Sequence, residues 1–477
     1  METRLKHIAL SNYYGSDYFL KRIGYEETWD RVYRLGDDFY ENQFIERTVV
    51  EKLGTRFLNG KAISMKEFID NASTEATKLN LTIGKALTKE QISKLDKDIV
   101  WYEYQEVSGI KVLAPKVYLS KNTLANIKAD GRSRIEGTEL TSIKAKTLDN
   151  TALIGKKGTT YLEADHIVNR SIGNQIAEIR GEKTSLVADS DIFNIGSNIS
   201  ATEELNVIAK NGDILNRSTV TKTNRNYEDL NRTRHSELEK IAEISSGKKL
   251  NIIADNYTSI AGKTSAKDLN IAVKEDVNIS SQKLSGEQKF GKDGNNFNSY
   301  AFESNIGSNV NAENLNVRAK NMNIKGSAVV AKNANLAVNK VNIDSNVDKI
   351  NTENRSKTKD LLKSHSKTEI QHSENNVAGT LYVENRGVIN GDVNVVGSNL
   401  VFGKDSYIDG KLTTDSKAIY NKYILEEKKK GLSLSISKNS FKVAYGKNQF
   451  NYGEKDKTNI KSNLVLGDGT VLNKGAE

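Results

Sequence analysis

Two stretches decide the fold: IGSNISATEELNVIAKNGDI over residues 195–214 and IGSNVNAENLNVRAKNMNI over residues 306–324. They match at most positions, and each alternates an apolar residue with a polar one before reaching a small residue and a polar turn. Such a segment has an apolar face too short to bury itself, so it becomes stable only when the next copy stacks on it. The same five-residue signature recurs as NIKAD, SIKAK, YLEAD, SLVAD, NVIAK, NIIAD and NVRAK. It places alanine at Ala129, Ala145, Ala164, Ala188, Ala209, Ala254 and Ala319. The first four intervals are 16, 19, 24 and 21 residues. With valine allowed at the small site, Ala254 to Val273 and Ala319 to Val338 add two intervals of 19. Gly196, Ser197, Gly307 and Ser308 open the two long copies. Glycine and asparagine tolerate the left-handed backbone that a sharp corner needs. The pattern predicts a mainly β chain, a right-handed parallel β-helix of about 19-residue coils in which equivalent asparagines can stack as ladders. Helical repeats are the competing solenoid. The runs are too short for paired helices and too rich in glycine, asparagine and β-branched residues.

Composition agrees with a thin continuous core. The 477 residues hold one proline (Pro115), no cysteine, 7% aromatic and 37% hydrophobic residues. That is a poor stock for several compact cores and an adequate one for a solenoid one coil wide. Without cysteine there is neither disulfide nor thiolate metal site, which is compatible with export. The net charge of +9 is spread along the chain and reads as solvation, with no nucleic-acid partner implied. No run of 18 apolar residues spans a membrane as a helix. Residues 1–20 lack the apolar centre of a signal peptide, so an export address would lie outside this chain.

Residues 1–119 differ from the rest of the chain and read as a helical, tyrosine-rich module with terminal strands. Tyr13, Tyr14, Tyr18, Phe19, Tyr33, Phe39, Tyr40 and Phe44 concentrate the aromatics. Tyr40 and Phe44 form one i,i+4 pair, and Ile45, Val49 and Leu53 form a second apolar row. Ser64-Met65-Lys66-Glu67 and Thr88-Lys89-Glu90-Gln91 both fit the capping box. Strands are predicted at 99–102, 112–113 and 117–119. The aromatic face is either this module's core or a binding surface.

Coils are expected over 120–416, interrupted by polar arms at 217–247, 283–306 and 345–377 that form hairpins or stay disordered. Over 417–477 the chain reads as a short helix (417–430) followed by further β-repeat. The end carries no capping element, so the repeat reads as truncated.

Chemical motifs are few. Asp165-His166-Ile167-Val168-Asn169 resembles the first strand of a His-Asn-His nuclease, where histidine activates water beside a metal-bound phosphate. It keeps the phase of its coil, and no second-half metal or histidine signature lies nearby, so a surface histidine is the plainer reading. His235, His365 and His372 fall in polar arms and read as solvated. Asp293-Gly294-Asn295-Asn296 and Gly467-Asp468-Gly469 read as turns, since neither an EF-hand carboxylate nor tandem glycine-aspartate nonapeptides accompany them. Phosphate loop, Cys-x-x-Cys pair and nucleophile elbow are all missing from the sequence. No catalytic residue, metal or cofactor is expected.

The segments YYGSDYFL (13–20), RLGDDFYENQFIER (34–47), ALTKEQISKLDKDIVWYEY (86–104) and VLAPKVYL (112–119) resemble a block of filamentous haemagglutinin-like exoproteins, including contact-dependent growth inhibition effectors. In that family the block precedes a haemagglutinin-repeat array, the order found here. The matching positions are Ser16, Asp17, Tyr18, Leu35, Gly36, Asp37, Phe39, Tyr40, Glu41, Asp98, Ile99, Val100, Trp101, Pro115, Val117 and Tyr118. The resemblance implies a secreted, surface-displayed filament of a Gram-negative bacterium, exported through a dedicated outer-membrane transporter. Its partners would be host surfaces or a neighbouring cell's envelope, and it would be a monomeric filament that adheres or carries a C-terminal toxin. The family's secretion domain, receptor-binding tip and toxin are not seen in this sequence. Val383-Glu384-Asn385-Arg386 departs from the family's V-E-N-N boundary motif and lies inside a coil.

Overall fold

The computed structural model describes residues 14–25, 33–35, 38–53, 57–58, 61–62, 64–107, 110–123, 133–227, 231–293, 296–437 and 440–475. The chain divides into two units. One holds residues 1–133 with the short segments 171–176 and 239–241, and the other holds the rest.

In the first unit, helices α1 (Ser16–Ile23), α2 (Asp38–Leu53), α3 (Met65–Leu79) and α4 (Lys89–Ser93) accompany the antiparallel strands Ile99–Val107 and Ile110–Tyr118. The expected helix starts are present. Ser64 accepts the Glu67 N–H, and Thr88 and Gln91 form a complete capping box. Ile45 and Val49 of the expected apolar row are buried with Phe19, Phe68, Ile69 and Trp101. The side chains of Tyr40 and Leu53 lie outside the described residues.

The second unit is a parallel β-helix. Its 25 coil strands belong to one hydrogen-bonded system in which every register is parallel. Each coil has three faces. One coil presents Thr159–Ala164, His166–Arg170 and residues 178–181, and the next presents 183–188, Ile192–Ile195 and 198–201 directly against them. Alternation puts every second side chain inside. The columns that result run along the stack, for example Leu162, Leu186, Val207, Ile252, Ile271 and Val317 in successive register. These six buried aliphatic side chains contribute on the order of 2 kcal/mol each, a gain available only once neighbours stack.

The small residue of the signature closes the first face. Ala164, Ala188 and Ala209 are in register and buried, and Ala254 faces Val273 in the same way. Ala145 and Ala319 are partly buried, and Ala129 lies outside the described residues.

From Ile195 onward, corners after the second face alternate between two forms. Gly196-Ser197, Ala261-Gly262, Gly326-Ser327 and Gly397-Ser398 turn tightly, with Gly196, Gly326 and Gly397 at φ 55°, 53° and 54°. Ala261 adopts φ 49° at the same place. On the coils between them the chain leaves as a long hairpin instead. The first arm is Thr219–Tyr227 with Asn231–Lys240, and the second is Gln282–Asp293 with Asn296–Ile306. The third is Asn346–Lys359 with Lys363–Val377, and the fourth is Lys417–Ser437 with Ser440–Ile460.

The first three arms coincide with the polar insertions expected from the sequence. The fourth corrects it: 417–430 is not a short helix but the start of a 21-residue strand. Its Glu426–Lys430 spacing is helical, but in the strand Tyr423 and Ile424 are half-buried opposite Gln371 and Ile370 of the third arm. As a strand it pairs with the third arm from His372↔Lys422 to Lys363↔Gly431. Coil stacking then resumes, with Asn463–Leu466 on Asn399–Phe402 and Val471–Leu472 on Tyr407–Ile408.

Candidate interaction surface

The four arms join edge to edge into one eight-stranded antiparallel sheet. The inner strand of each arm meets the outer strand of the one before: 232–235 with 286–289, 297–303 with 349–355, and 363–372 with 422–431. The reason is dimensional. Strands in a sheet and coils in a stack share a spacing of about 4.8 Å, so a hairpin two strands wide fills the rise of two coils. Arms leaving every second coil therefore abut without gap or overlap.

Each joint carries a clasp near the coil. At the first, Ser236 Oγ donates to the Ser285 carbonyl (3.0 Å) and accepts the Ser285 N–H (2.7 Å). At the second, Asp348 accepts the Asn305 N–H (2.7 Å) and its amide (2.9 Å). At the third, Glu374 accepts the Tyr420 N–H (2.9 Å) and pairs with Lys349 (3.2 Å). Burial works against ionising Glu374, but the Tyr420 N–H, Lys349 and His372 outweigh it and hold the carboxyl below the usual glutamate range.

The arm histidines are not simply solvated. His235 Nε2 lies 2.5 Å from Glu237, His365 Nε2 lies 2.7 Å from Glu427 across the third joint, and His372 Nε2 lies 3.3 Å from Glu374. The fourth arm exposes Tyr420, Val443, Tyr445, Phe450 and Tyr452. Sequence reading missed this arm. Its signal was the two-coil rhythm: three arms on alternate coils call for another after the tight corner at Gly397-Ser398.

The family-matching positions of the first unit are mostly interior. Glu41 is buried and accepts the Ser16 N–H (2.6 Å) and the Tyr102 hydroxyl (3.1 Å). Asp98 accepts from Ser120 N–H (2.7 Å) and Thr123 Oγ1 (2.6 Å), fixing the chain as it leaves the module. Trp101 donates to the Lys85 carbonyl and meets Phe19 edge-on at 5.4 Å. Tyr118 donates to Glu103, Pro115 faces Tyr102, and Ile99, Val100 and Val117 are buried. Tyr18 donates to Asp70, Asp17 pairs with Arg34, and the Leu35 N–H reaches the Leu113 carbonyl. Gly36 and Asp37 lie outside the described residues, as do the side chains of Phe39 and Tyr40.

His166 sits on a coil strand, half-buried, with its ring edge-on to Phe193 at 5.1 Å. Among the described residues no three His, Asp or Glu side chains gather as metal ligands. An open groove in the first unit is lined by Lys78, Glu90, Ser93, Lys94, Asp96 and Lys121, with Ser93 Oγ donating to the Glu90 carbonyl and Lys78 paired with Asp96. The described surface offers hydrogen-bonding strand edge and exposed aromatic area, both means of binding.

The comparisons with known proteins fit this architecture. The chain is 31% identical over 295 residues to a tRNA nuclease CdiA of Yersinia mollaretii, covering 58% of this chain and 10% of that protein. It is 33% identical over 221 residues to the filamentous hemagglutinin of Bordetella pertussis, covering 40% of this chain and 6% of that one. The chain is CdiA- and filamentous hemagglutinin-like. A third relative, the protein adenylyltransferase and cysteine protease IbpA of Histophilus somni, is 28% identical over 59% of this chain and 8% of its own length. The chain thus spans about a tenth or less of these relatives. The activities in their names belong to proteins far longer than the matched region. No family profile and no solved structure matches the chain.

Proposed function

We propose that this chain is a non-enzymatic stem segment of a secreted, surface-displayed exoprotein that mediates cell contact or carries a toxin to neighbouring bacteria. The observation that carries the proposal is the closed coil stack. Its interior is filled by aliphatic columns, and its outward projections are hairpins tied to one another rather than loops converging on a pocket. Stacked coils transmit position along the stack, which is what a stem does. The family resemblance supports export through a dedicated outer-membrane transporter and display on a Gram-negative cell, with a host surface or another cell's envelope as the far partner. The tyrosine-rich module packs Phe19, Trp101, Tyr102 and Tyr118 into its own core.

The competing reading is a metal-dependent nuclease centred on His166. Incubating the purified chain with DNA and tRNA and a series of divalent ions tests it. The stem reading expects no cleavage, and cleavage lost in His166→Ala would overturn it.

A further inference from the structure

Three strands of the arm sheet carry two opposed rows of residues near their tips, Lys357↔Ser366↔Lys428 and Lys359↔Ser364↔Lys430. Residues opposed across a sheet share a face, as do residues two apart on one strand, so these six side chains stand together. The four lysines mark a rectangle about 10 Å across two strands and about 7 Å along them. Its floor is Ser364 and Ser366, half-buried hydroxyls too short to fill the space between the exposed lysine stems. We propose that this basin binds a ligand carrying phosphate monoester or oligophosphate groups, the ammonium groups closing over it and the serine hydroxyls donating from below.

The distribution of charge points to an anion. The run Lys428-Lys429-Lys430 divides between the two faces of the sheet. On the opposite face cations meet carboxylates: Lys429 lies 2.8 Å from Glu427, Lys367 lies 3.1 Å from Glu369 and His365 lies 2.7 Å from Glu427. On the basin face, among the described residues, Lys359, Lys428 and Lys430 have no carboxylate at ion-pair distance. Nearer the coil on that face, Glu353 is taken by Arg355 at 2.5 Å, and Glu426 forms no ion pair among the described residues. Like charges on neighbouring rows oppose one another, and a bound polyanion relieves that repulsion. Each of the three strands has a neighbour on both sides in the sheet, so the basin is complete within the arms described.

The donors select phosphate. Lysine presents a compact point charge rather than the planar fork with which arginine grips a carboxylate, and a phosphate monoester brings about two negative charges and three acceptor oxygens. The size of the rectangle suits one oligophosphate or two phosphates on a small scaffold. The six residues include no aromatic ring on which a nucleobase could stack.

The full chain is dialysed to equilibrium against sodium tripolyphosphate, and in parallel sedimented with phosphatidylcholine vesicles that contain or lack phosphatidic acid. Saturable binding of tripolyphosphate is expected, weakened about tenfold in Lys428→Gln/Lys430→Gln with unchanged circular dichroism. Lys367→Gln/Lys429→Gln removes the same charge from the opposite face and should leave the affinity within about twofold. Co-sedimentation with the phosphatidic acid vesicles, reversed by tripolyphosphate, would assign the phosphate to a lipid headgroup. Tripolyphosphate binding without co-sedimentation would assign it to a soluble ligand. Absence of saturable binding, or equal weakening by the two lysine pairs, would overturn the proposal, the latter by showing attraction to diffuse charge alone.

Discussion

At the scale of single residues, the second face carries the least ordinary part of the core. Asn150, Asn169, Asn194 and Asn216 point inward in register, and each Nδ2 donates to the next Oδ1 at 2.8, 2.9 and 2.8 Å. Backbone carbonyls take the remaining amide protons, as where Asn194 reaches Ser197 (2.8 Å) and Glu243 (3.1 Å). The column continues as Ser259, Ile279, Ile324 and Ile343, so later coils solve the same position with aliphatic packing. Breaking the ladder in its middle strands donors and acceptors in a dry interior. Asn194→Ala is expected to cost about 3 kcal/mol, read as roughly hundredfold faster amide exchange in the flanking coils. Tyr257 is the other exception, an aromatic in a column of Ile214, Val277 and Met322, with its hydroxyl 2.5 Å from Thr264. Burial pushes that hydroxyl up to about 12 from an ordinary value of 10. An unfolded chain ionises near pH 10 and the folded one does not until about 12. The stability conferred is thus complete below pH 10 and is lost as pH rises through that window. Tyr257→Phe should cost about 1 kcal/mol at neutral pH and remove this alkaline loss, as followed by denaturant unfolding at pH 8 and pH 11.

At the scale of elements, the arms show what periodicity reveals and what it hides. Coil strands are legible in the sequence because burial on one side forces alternation: Leu205, Val207 and Ala209 point in while Asn206 and Ile208 do not. The arm strands keep both faces largely wet, so the alternation is lost and stretches such as 354–374 read only as polar. Their order comes from neighbouring arms, a tertiary cause with no local signature, and this is why 417–430 reads as helix from its residues alone. The tyrosine-rich module is legible for the opposite reason, its capping residues being local. Glu374 tests the joints. Because its folded pKa is depressed, its contribution is complete above about pH 4.5 and fades as pH falls through the lowered value. Limited proteolysis of the fourth arm should accelerate as pH drops below 4.5. Glu374→Gln should be more readily cleaved at pH 7 and show a flatter response to acid.

At the scale of the second unit, spacing rather than any single bond organises the structure. Residues in ladder contact lie 19 apart when the intervening corner is tight, as for Asn251 with Asn270 and Asn323 with Asn342. They lie 45 or 46 apart when an arm intervenes, as for Asn206 with Asn251 and Asn270 with Asn316. Arms of different length are accommodated because they leave the coil and return to the same corner, so the stack does not register their size. What it does register is their rhythm, one arm for two coils. Two deletions, each keeping whole coils in register, separate this rule from mere stacking. Removing 263–327 takes out one armed and one tight coil and keeps the alternation. Removing 309–327 takes out only a tight coil and puts two arms on successive coils. The decisive measurement is amide hydrogen exchange across both variants. Protected coil amides are expected in both and protected arm amides only in the first, because two strands of arm do not fit one coil of rise. Equal protection of the arms in the two variants would contradict the two-coil rule.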